Sequence, residues 1–276
     1  MDKYAVVGNP INHSLSPRIH SLFAAETNQQ LEYQALELDP DQFEHQVAEL
    51  IEAGFKGINI TVPFKEKAWA IADKLSPRAS DAGAVNTLIF QDDGLIAGDN
   101  TDGIGLTRDM ITNHHILIKH RKILVLGAGG AVRGILGPLL AQKPGLVTIT
   151  NRTVAKADEL VEQFRPGSID NTEIQSCSYE DLGNEKFDLI INGTSAGLHN
   201  EVPPIPDELL GINSICYDMM YNIEKPTAFV QWALDRGALR QFDGLGMLVE
   251  QAAEAFFIWR GIRPDTQEVL ATLRQN

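Results

Sequence analysis

Short strand-like runs, most of them containing β-branched residues, alternate with stretches of helical spacing along most of this chain, and that order admits few folds. Residues 4–8 (YAVVG), 31–38 (LEYQALEL) and 57–61 (GINIT) predict strands, and the segments near 17–27, 41–53 and 64–74 predict helices. A second series follows, with strands expected at 122–127 (KILVLG), 146–150 (LVTIT), 187–192 (FDLIIN) and 214–218 (SICYD) and helices near 131–142, 153–164 and 226–236. Strand, helix, strand in succession makes βαβ units and a mostly parallel sheet. Two such series in 276 residues fit the usual prior of about 150 residues per domain. The polar stretch 112–120 (TNHHILIKH) breaks the alternation and is the expected hinge. Leu248, Ala252, Ala255, Phe256 and Trp259 recur at helical spacing within 244–261, so this helix is expected to pack back on the first domain. The expected domains are therefore 1–112 plus 244–276, and 113–243.

Charge narrows the partners. The chain carries 23 basic and 37 acidic residues, a formal net charge of -14, which repels a polyphosphate backbone and argues against nucleic-acid binding. Cys177 and Cys216 stand in neither a CxxC nor a metal-ligand spacing, as expected of a reduced compartment. Apolar runs such as ILVLGAGGAV are cut by glycines well short of a membrane span, and MDKYAVVGNP lacks the apolar core of a signal peptide, so a cytoplasmic location without membrane contact is expected. His114, His115 and His120 lack carboxylate or cysteine partners at useful spacing. They read as an exposed connector and no metal is expected.

The segment KILVLGAGGAVRG runs a strand straight into Gly127, Ala128, Gly129, Gly130 and Ala131 and then into a helix. Glycines there let backbone approach a pyrophosphate, and the helix start supplies N–H donors. Val132 stands where a third glycine is usual, which weakens the motif taken alone and leaves a purely structural turn as the lesser alternative. The next strand ends TITNRT. Where a ribose-binding acid would point to NAD, Asn151 and Arg152 stand, and a guanidinium suits the 2′-phosphate of NADP, with Thr153 and Lys156 close by. An ordinary surface arginine at a helix entry is the alternative reading. In the first half, HSLSPRIHS makes Ser16 an expected N-cap with Pro17 at the first helical position, and puts Ser14 and Ser16 near exposed helix N–H groups. In GDNTDGIG, Asp102 is an expected cap of the following helix. As caps, these residues would carry no chemistry.

The motifs PINHSLSP, NITVPFK, GAVNT, GDNTDG, GAGGA, NRT and NGTSAG follow one another in the order found in shikimate dehydrogenases, and YDMMY and EQAAEAFFIW are similar too. The resemblance spans nearly the whole chain. It implies an α/β protein with an N-terminal substrate domain and a Rossmann-like dinucleotide-binding domain, a small-molecule cleft between them, and reversible NADPH-dependent reduction of 3-dehydroshikimate to shikimate in aromatic amino-acid biosynthesis. It also implies a catalytic pair, Lys65 and Asp102. Hydride transfer to a ketone leaves an alkoxide, which an ammonium can stabilise and protonate while a carboxylate orients it. By the same resemblance Ser14 and Ser16 hold the substrate carboxylate, and Asn59, Thr61, Asn86, Thr101, Tyr221 and Gln251 meet the ring hydroxyls. Thr194, Met219 and Gly244 line the nicotinamide. A monomer or homodimer is expected. A quinate/shikimate dehydrogenase using NAD and a non-catalytic metabolite sensor are the alternatives. The absence of an acid after VTIT opposes the first, and the retained lysine and aspartate oppose the second.

Overall fold

The computed structural model describes residues 1–165 and 172–275, and the chain folds into two compact units, Met1–Gly105 with Leu248–Gln275 and Leu106–Met247. The first unit opens with β1 (Asp2–Gly8), α1 (Ser16–Glu26), β2 (Leu31–Glu37), α2 (Phe43–Glu52), β3 (Phe55–Ile60) and α3 (Lys65–Ile71). It continues through β4 (Lys74–Leu75), α4 (Pro77–Ala82), β5 (Thr87–Phe90), β6 (Ile96–Asp99) and the start of α5 (Asp102–Arg108). Its six strands lie in the order β2-β1-β3-β5-β6-β4. The first three pair in parallel, whereas β5 runs antiparallel to both β3 and β6. Side chains alternate along β1, so Ala5 and Val7 join one apolar core with Phe43, Val47 and Phe64, while Tyr4 and Val6 face Ile11 and Tyr33 on the other side. Both faces are thus covered, as the crossover helices of a parallel segment require.

The second unit holds β7 (Lys122–Leu126), α6 (Gly130–Leu140), β8 (Leu146–Thr150), α7 (Val154–Phe164), β9 (Glu173–Cys177), β10 (Phe187–Asn192), β11 (Leu210–Asp218), α8 (Ala228–Asp235) and β12 (Arg240–Phe242). Its order is β12-β11-β10-β7-β8-β9 and every pairing is parallel. The strand sequence reverses between β7 and β10, the place where doubly wound sheets leave a crevice for a ligand beyond the strand ends. α9 (Leu245–Arg260) and α10 (Thr266–Arg274) close the chain.

The expected hinge at 112–120 is corrected. Ile116 and Ile118 are buried in the core of the second unit, and Asp109–Asn113 prolong α5 as a π-helical turn. The boundary between the units falls instead within α5 and α9. His114 is likewise no exposed connector: its ring stacks on Phe242 at 3.8 Å, and Nε2 lies 3.4 Å from Asp109 Oδ2. The buried Asp109 carboxylate also accepts from Tyr217 Oη at 2.6 Å and Asn113 Nδ2 at 2.8 Å. Burial outweighs the polarity of the sequence here. No group of His, Cys, Asp and Glu among the described residues could hold a metal, and no described helix is long and apolar enough to cross a membrane.

Candidate active site

Lys65 is the first residue of α3 and Asp102 the first of α5. Lys65 Nζ donates to Asp102 Oδ2 at 2.5 Å, with the side chains only 15% and 9% exposed. One loop sets both helix starts. Val85 N–H donates to the Lys65 carbonyl at 2.9 Å, and Asn100 Nδ2 to the Ala84 carbonyl at 2.9 Å. Asn100 Oδ1 accepts from Asp102 N–H at 3.1 Å. Asn100 therefore ties down the start of α5, and the expectation that Asp102 caps it is corrected; the Asp102 carboxylate is committed to Lys65 and to Asn86 Nδ2, the latter at 2.8 Å. Just upstream, Asp99 takes a two-pronged bond from Arg78 at 2.7 and 2.8 Å, and Arg78 also reaches Glu254 of α9 at 3.2 Å. Bidentate guanidinium bonds fix geometry as well as charge. Asp99 Oδ1 also accepts from Asn100 N–H at 2.7 Å, so the aspartate loop is anchored from behind.

Around the ion pair the amides are densely connected. Asn86 Nδ2 also donates to Thr101 Oγ1 at 2.9 Å and lies 3.4 Å from Gln251 Oε1, while Asn86 Oδ1 accepts from Thr87 Oγ1 and from the Thr101 N–H, each at 2.9 Å. Thr101 Oγ1 reaches Gln251 Oε1 at 3.3 Å. Asn59 Nδ2 donates to the Asn86 carbonyl at 3.2 Å and to Thr87 Oγ1 at 3.0 Å. Thr61 follows β3, its N–H donating to the Val7 carbonyl at 2.9 Å. Its methyl fills the space a side chain at Gly8 would need. The structure thus joins Lys65, Asp102, Asn86, Thr101, Gln251 and Asn59 in one hydrogen-bonded cluster.

Ser16 is not the N-cap of α1. The preceding Leu15 already has helical backbone angles, so Ser16 is the first helical residue and Pro17 the second. Ser14 Oγ takes over part of the capping role, accepting from Ser16 N–H at 3.3 Å. Ser16 is buried against Tyr33, whose phenol oxygen its hydroxyl engages. Tyr33, His20 and Thr87 were not singled out by the sequence. Tyr33 lies in a strand and His20 on an apolar helix face, where each reads as ordinary core.

In the second unit Gly127 follows β7 with φ +103, a conformation that glycine alone adopts without strain, and a side chain there would press on Gly193 and Thr194. Gly129 is the N-cap of α6, and the space beside Gly129 and Gly130 is open. Ala128 is buried and Ala131 half-buried. Val132, at the position of the missing third glycine, is fully buried, and a β-carbon at Gly193 would overlap its methyl. The close approach that a third glycine usually allows is supplied from the facing strand end. Thr194 N–H and Oγ1 donate to Asn192 Oδ1 at 3.1 and 2.7 Å, and Met219 N–H to the Asn192 carbonyl at 2.8 Å. Gly244 packs so tightly on Met219 that a side chain would strike the Met219 carbonyl. Gly127, Thr194, Met219 and Gly244 therefore sit together at the strand ends. Beneath them Asp218 accepts from Asn192 Nδ2 at 2.9 Å and Thr227 Oγ1 at 2.5 Å, and burial pushes its pKa up to about 6. At the end of β8, Asn151 Nδ2 donates to the Thr153 carbonyl at 2.9 Å, while Arg152, Thr153 and Lys156 are exposed around the start of α7. The charge of Arg152 is felt by Tyr179, a further residue of this corner. Tyr221 is half-buried beyond β11. A glycine turn with φ > 0, open space over a helix start and an exposed arginine without a neighbouring acid at the strand end fit a phosphorylated dinucleotide.

Comparison with known proteins points the same way. Residues 6–88 match the shikimate dehydrogenase substrate binding domain, 110–199 the shikimate / quinate 5-dehydrogenase family, and 244–274 the shikimate 5'-dehydrogenase C-terminal domain. The shikimate dehydrogenase (NADP(+)) of Alkalilimnicola ehrlichii is 52% identical over 99% of this chain and 98% of its own length. Among solved structures, an Ael1 enzyme from Pseudomonas putida is 46% identical with a TM-score of 0.91, covering 99% of this chain and 98% of that one. The shikimate 5-dehydrogenase of Thermus thermophilus in complex with NADP(H) and shikimate is 32% identical with a TM-score of 0.87, covering 100% of this chain and 99% of that one.

Proposed function

The chain belongs to the shikimate dehydrogenase family, and from that premise we propose that it catalyses the reversible NADPH-dependent reduction of 3-dehydroshikimate to shikimate, in the cytoplasm, as a step of aromatic amino-acid biosynthesis. The observation that carries this reading is the short bond from Lys65 to Asp102 amid hydroxyl and amide groups. Bound NADPH supplies the hydride. The Lys65 ammonium stabilises the oxygen that gains charge and hands it a proton, and Asp102, itself held by Asn86, keeps the ammonium in place. Ser14 and Ser16 take the substrate carboxylate, while Thr61, Thr101, Tyr221 and Gln251 serve the ring hydroxyls beside Asn59 and Asn86. The unit Met1–Gly105 with Leu248–Gln275 serves as the substrate domain and Leu106–Met247 as the NADP domain, in place of the expected 1–112 with 244–276 and 113–243. The glycine turn holds the pyrophosphate, Asn151, Arg152, Thr153 and Lys156 the 2′-phosphate, and Thr194, Met219 and Gly244 the nicotinamide.

The test is NADPH consumption with 3-dehydroshikimate, run beside NADH and, in the oxidative direction, beside quinate. Turnover of quinate comparable to shikimate would replace the narrow reading by the broader one. Lys65→Met is expected to cut kcat far beyond tenfold while shikimate still binds, since the lost contact strengthens in the transition state. A loss within about tenfold, ~1.4 kcal/mol, would remove the lysine from proton transfer.

A further inference from the structure

Asn59 has almost no hydrogen-bonding capacity left. A side-chain amide offers two N–H donors and a carbonyl oxygen with two lone pairs. Both donors of Asn59 are spent inside the protein, on the Asn86 carbonyl at 3.2 Å and Thr87 Oγ1 at 3.0 Å. A main-chain carbonyl only accepts, so the nitrogen must face Asn86 and the oxygen must face the other way. There it accepts from Tyr33 Oη at 2.7 Å. One lone pair on Oδ1 is all that remains.

The donor that fixes this end of the amide is itself held. Tyr33 reaches from β2 across β1 to Asn59 on β3, because Tyr4 pairs with Tyr33 and Val6 with Asn59. Its ring lies flat against His20 of α1, centroids 4.0 Å apart and planes 6° from parallel. His20 is 1% exposed, packs also against Phe23 and Trp259, and neither of its ring nitrogens makes a hydrogen bond of good geometry among the described residues, although the Asn59 side chain is near enough to favour its protonated form. Burial in this aromatic stack pushes the Tyr33 phenol well above its ordinary range, so it stays a donor.

We propose that Tyr33 is a positioning residue, seated by His20, that locks the Asn59 amide so that Asn59 meets the substrate only as an acceptor, toward a hydroxyl and never toward a keto or carboxylate oxygen. The proposal rests on the reading of Asn59 as a substrate contact. It makes the site selective for a hydroxyl at that ring position, since a group that cannot donate leaves the Oδ1 lone pair buried and unmet.

Tyr33→Phe keeps the stacked ring and removes only the hydroxyl. It is expected to raise KM for shikimate by about five- to thirtyfold, the usual effect of losing one buried hydrogen bond, with kcat within about threefold and KM for NADP unchanged. In an Asn59→Ala background the same change is expected to lose most of its effect, the remainder being the share that passes through Ser16, whose hydroxyl also engages the Tyr33 phenol oxygen. If Asn59→Ala raises KM for shikimate and Tyr33→Phe does not, or if the two effects simply add, the positioning role is wrong while the substrate contact stands. If Asn59→Ala leaves KM unchanged, the substrate contact itself falls, and the proposal with it. Shikimate analogues with each ring hydroxyl in turn replaced by fluorine give an independent measurement on the wild type. At least one is expected to bind more weakly by about tenfold. Equal binding of all of them would overturn the proposal without any variant.

Discussion

A neutral imidazole sealed in an aromatic stack makes His20 a liability in acid. Burial lowers its pKa from 6.5 to about 3, with the Asn59 side chain opposing the shift. The folded state therefore binds this proton less readily than the unfolded chain. Its contribution to stability is complete above pH 6.5 and is lost progressively as pH falls toward 3. Between about pH 6.5 and pH 5 the wild type is expected to lose about 2 kcal/mol of unfolding free energy that His20→Phe retains, read from urea unfolding at the two pH values. Parallel losses in both proteins would mean that His20 is not the acid-sensitive group. That Lys65 and Asp102 meet could be anticipated from the resemblance, because their motifs are specific. His20 and Tyr33 were not legible in the sequence, because a histidine on an apolar helix face and a tyrosine in a strand look the same whether they fill a core or orient an amide. Ser16 was misread as a cap for a local reason: Leu15 had already adopted helical angles, which no residue preference in HSLSP announces.

Each unit's chemistry gathers where strands end and helices begin. Arg152 occupies such a place, between β8 and α7, with no carboxylate at the strand end to repel a dianion. Arg152→Ala is expected to weaken NADPH by roughly ten- to a hundredfold and NADH far less, since a charge-assisted bond to the phosphate is lost. The kcat/KM values for both cofactors decide it. Equal losses would reduce the arginine to a surface residue. The strands that feed the long crossovers were visible, β1, β3, β7, β8, β10 and β11 as runs with β-branched residues and β2 by its alternation around Tyr33. Missed were β5 and β6, which are only four residues each and pair antiparallel: β5 (TLIF) has strand-forming residues but is too short to show a period, and β6 includes Ala97 and Gly98, which carry little propensity. The edge strands β9 and β12 were also missed, since half-buried polar residues such as Gln175 and Gln241 mask the alternation. For β6 and the edge strands, neighbouring strands rather than their own composition make the segment β.

At the scale of the molecule, the segment Leu106–Met247 contains the whole of its sheet and both apolar clusters that flank it. As a separate fragment it is expected to melt cooperatively by circular dichroism. Met1–Gly105 is expected to stay unfolded alone, because Phe256 and Trp259 of α9 complete the stack around Tyr4, His20 and Phe23. A cooperative melt of Met1–Gly105 by itself would contradict this. The division also sets a timetable for synthesis. Domains ordinarily fold in the order in which they leave the ribosome. Here the first-made segment has to wait until the second unit has been translated and α9 follows, and only then can Gln251 join Asn86 and Thr101. The middle of this chain is therefore expected to fold before its beginning, with Tyr4, His20 and Phe23 uncovered until α9 has been made.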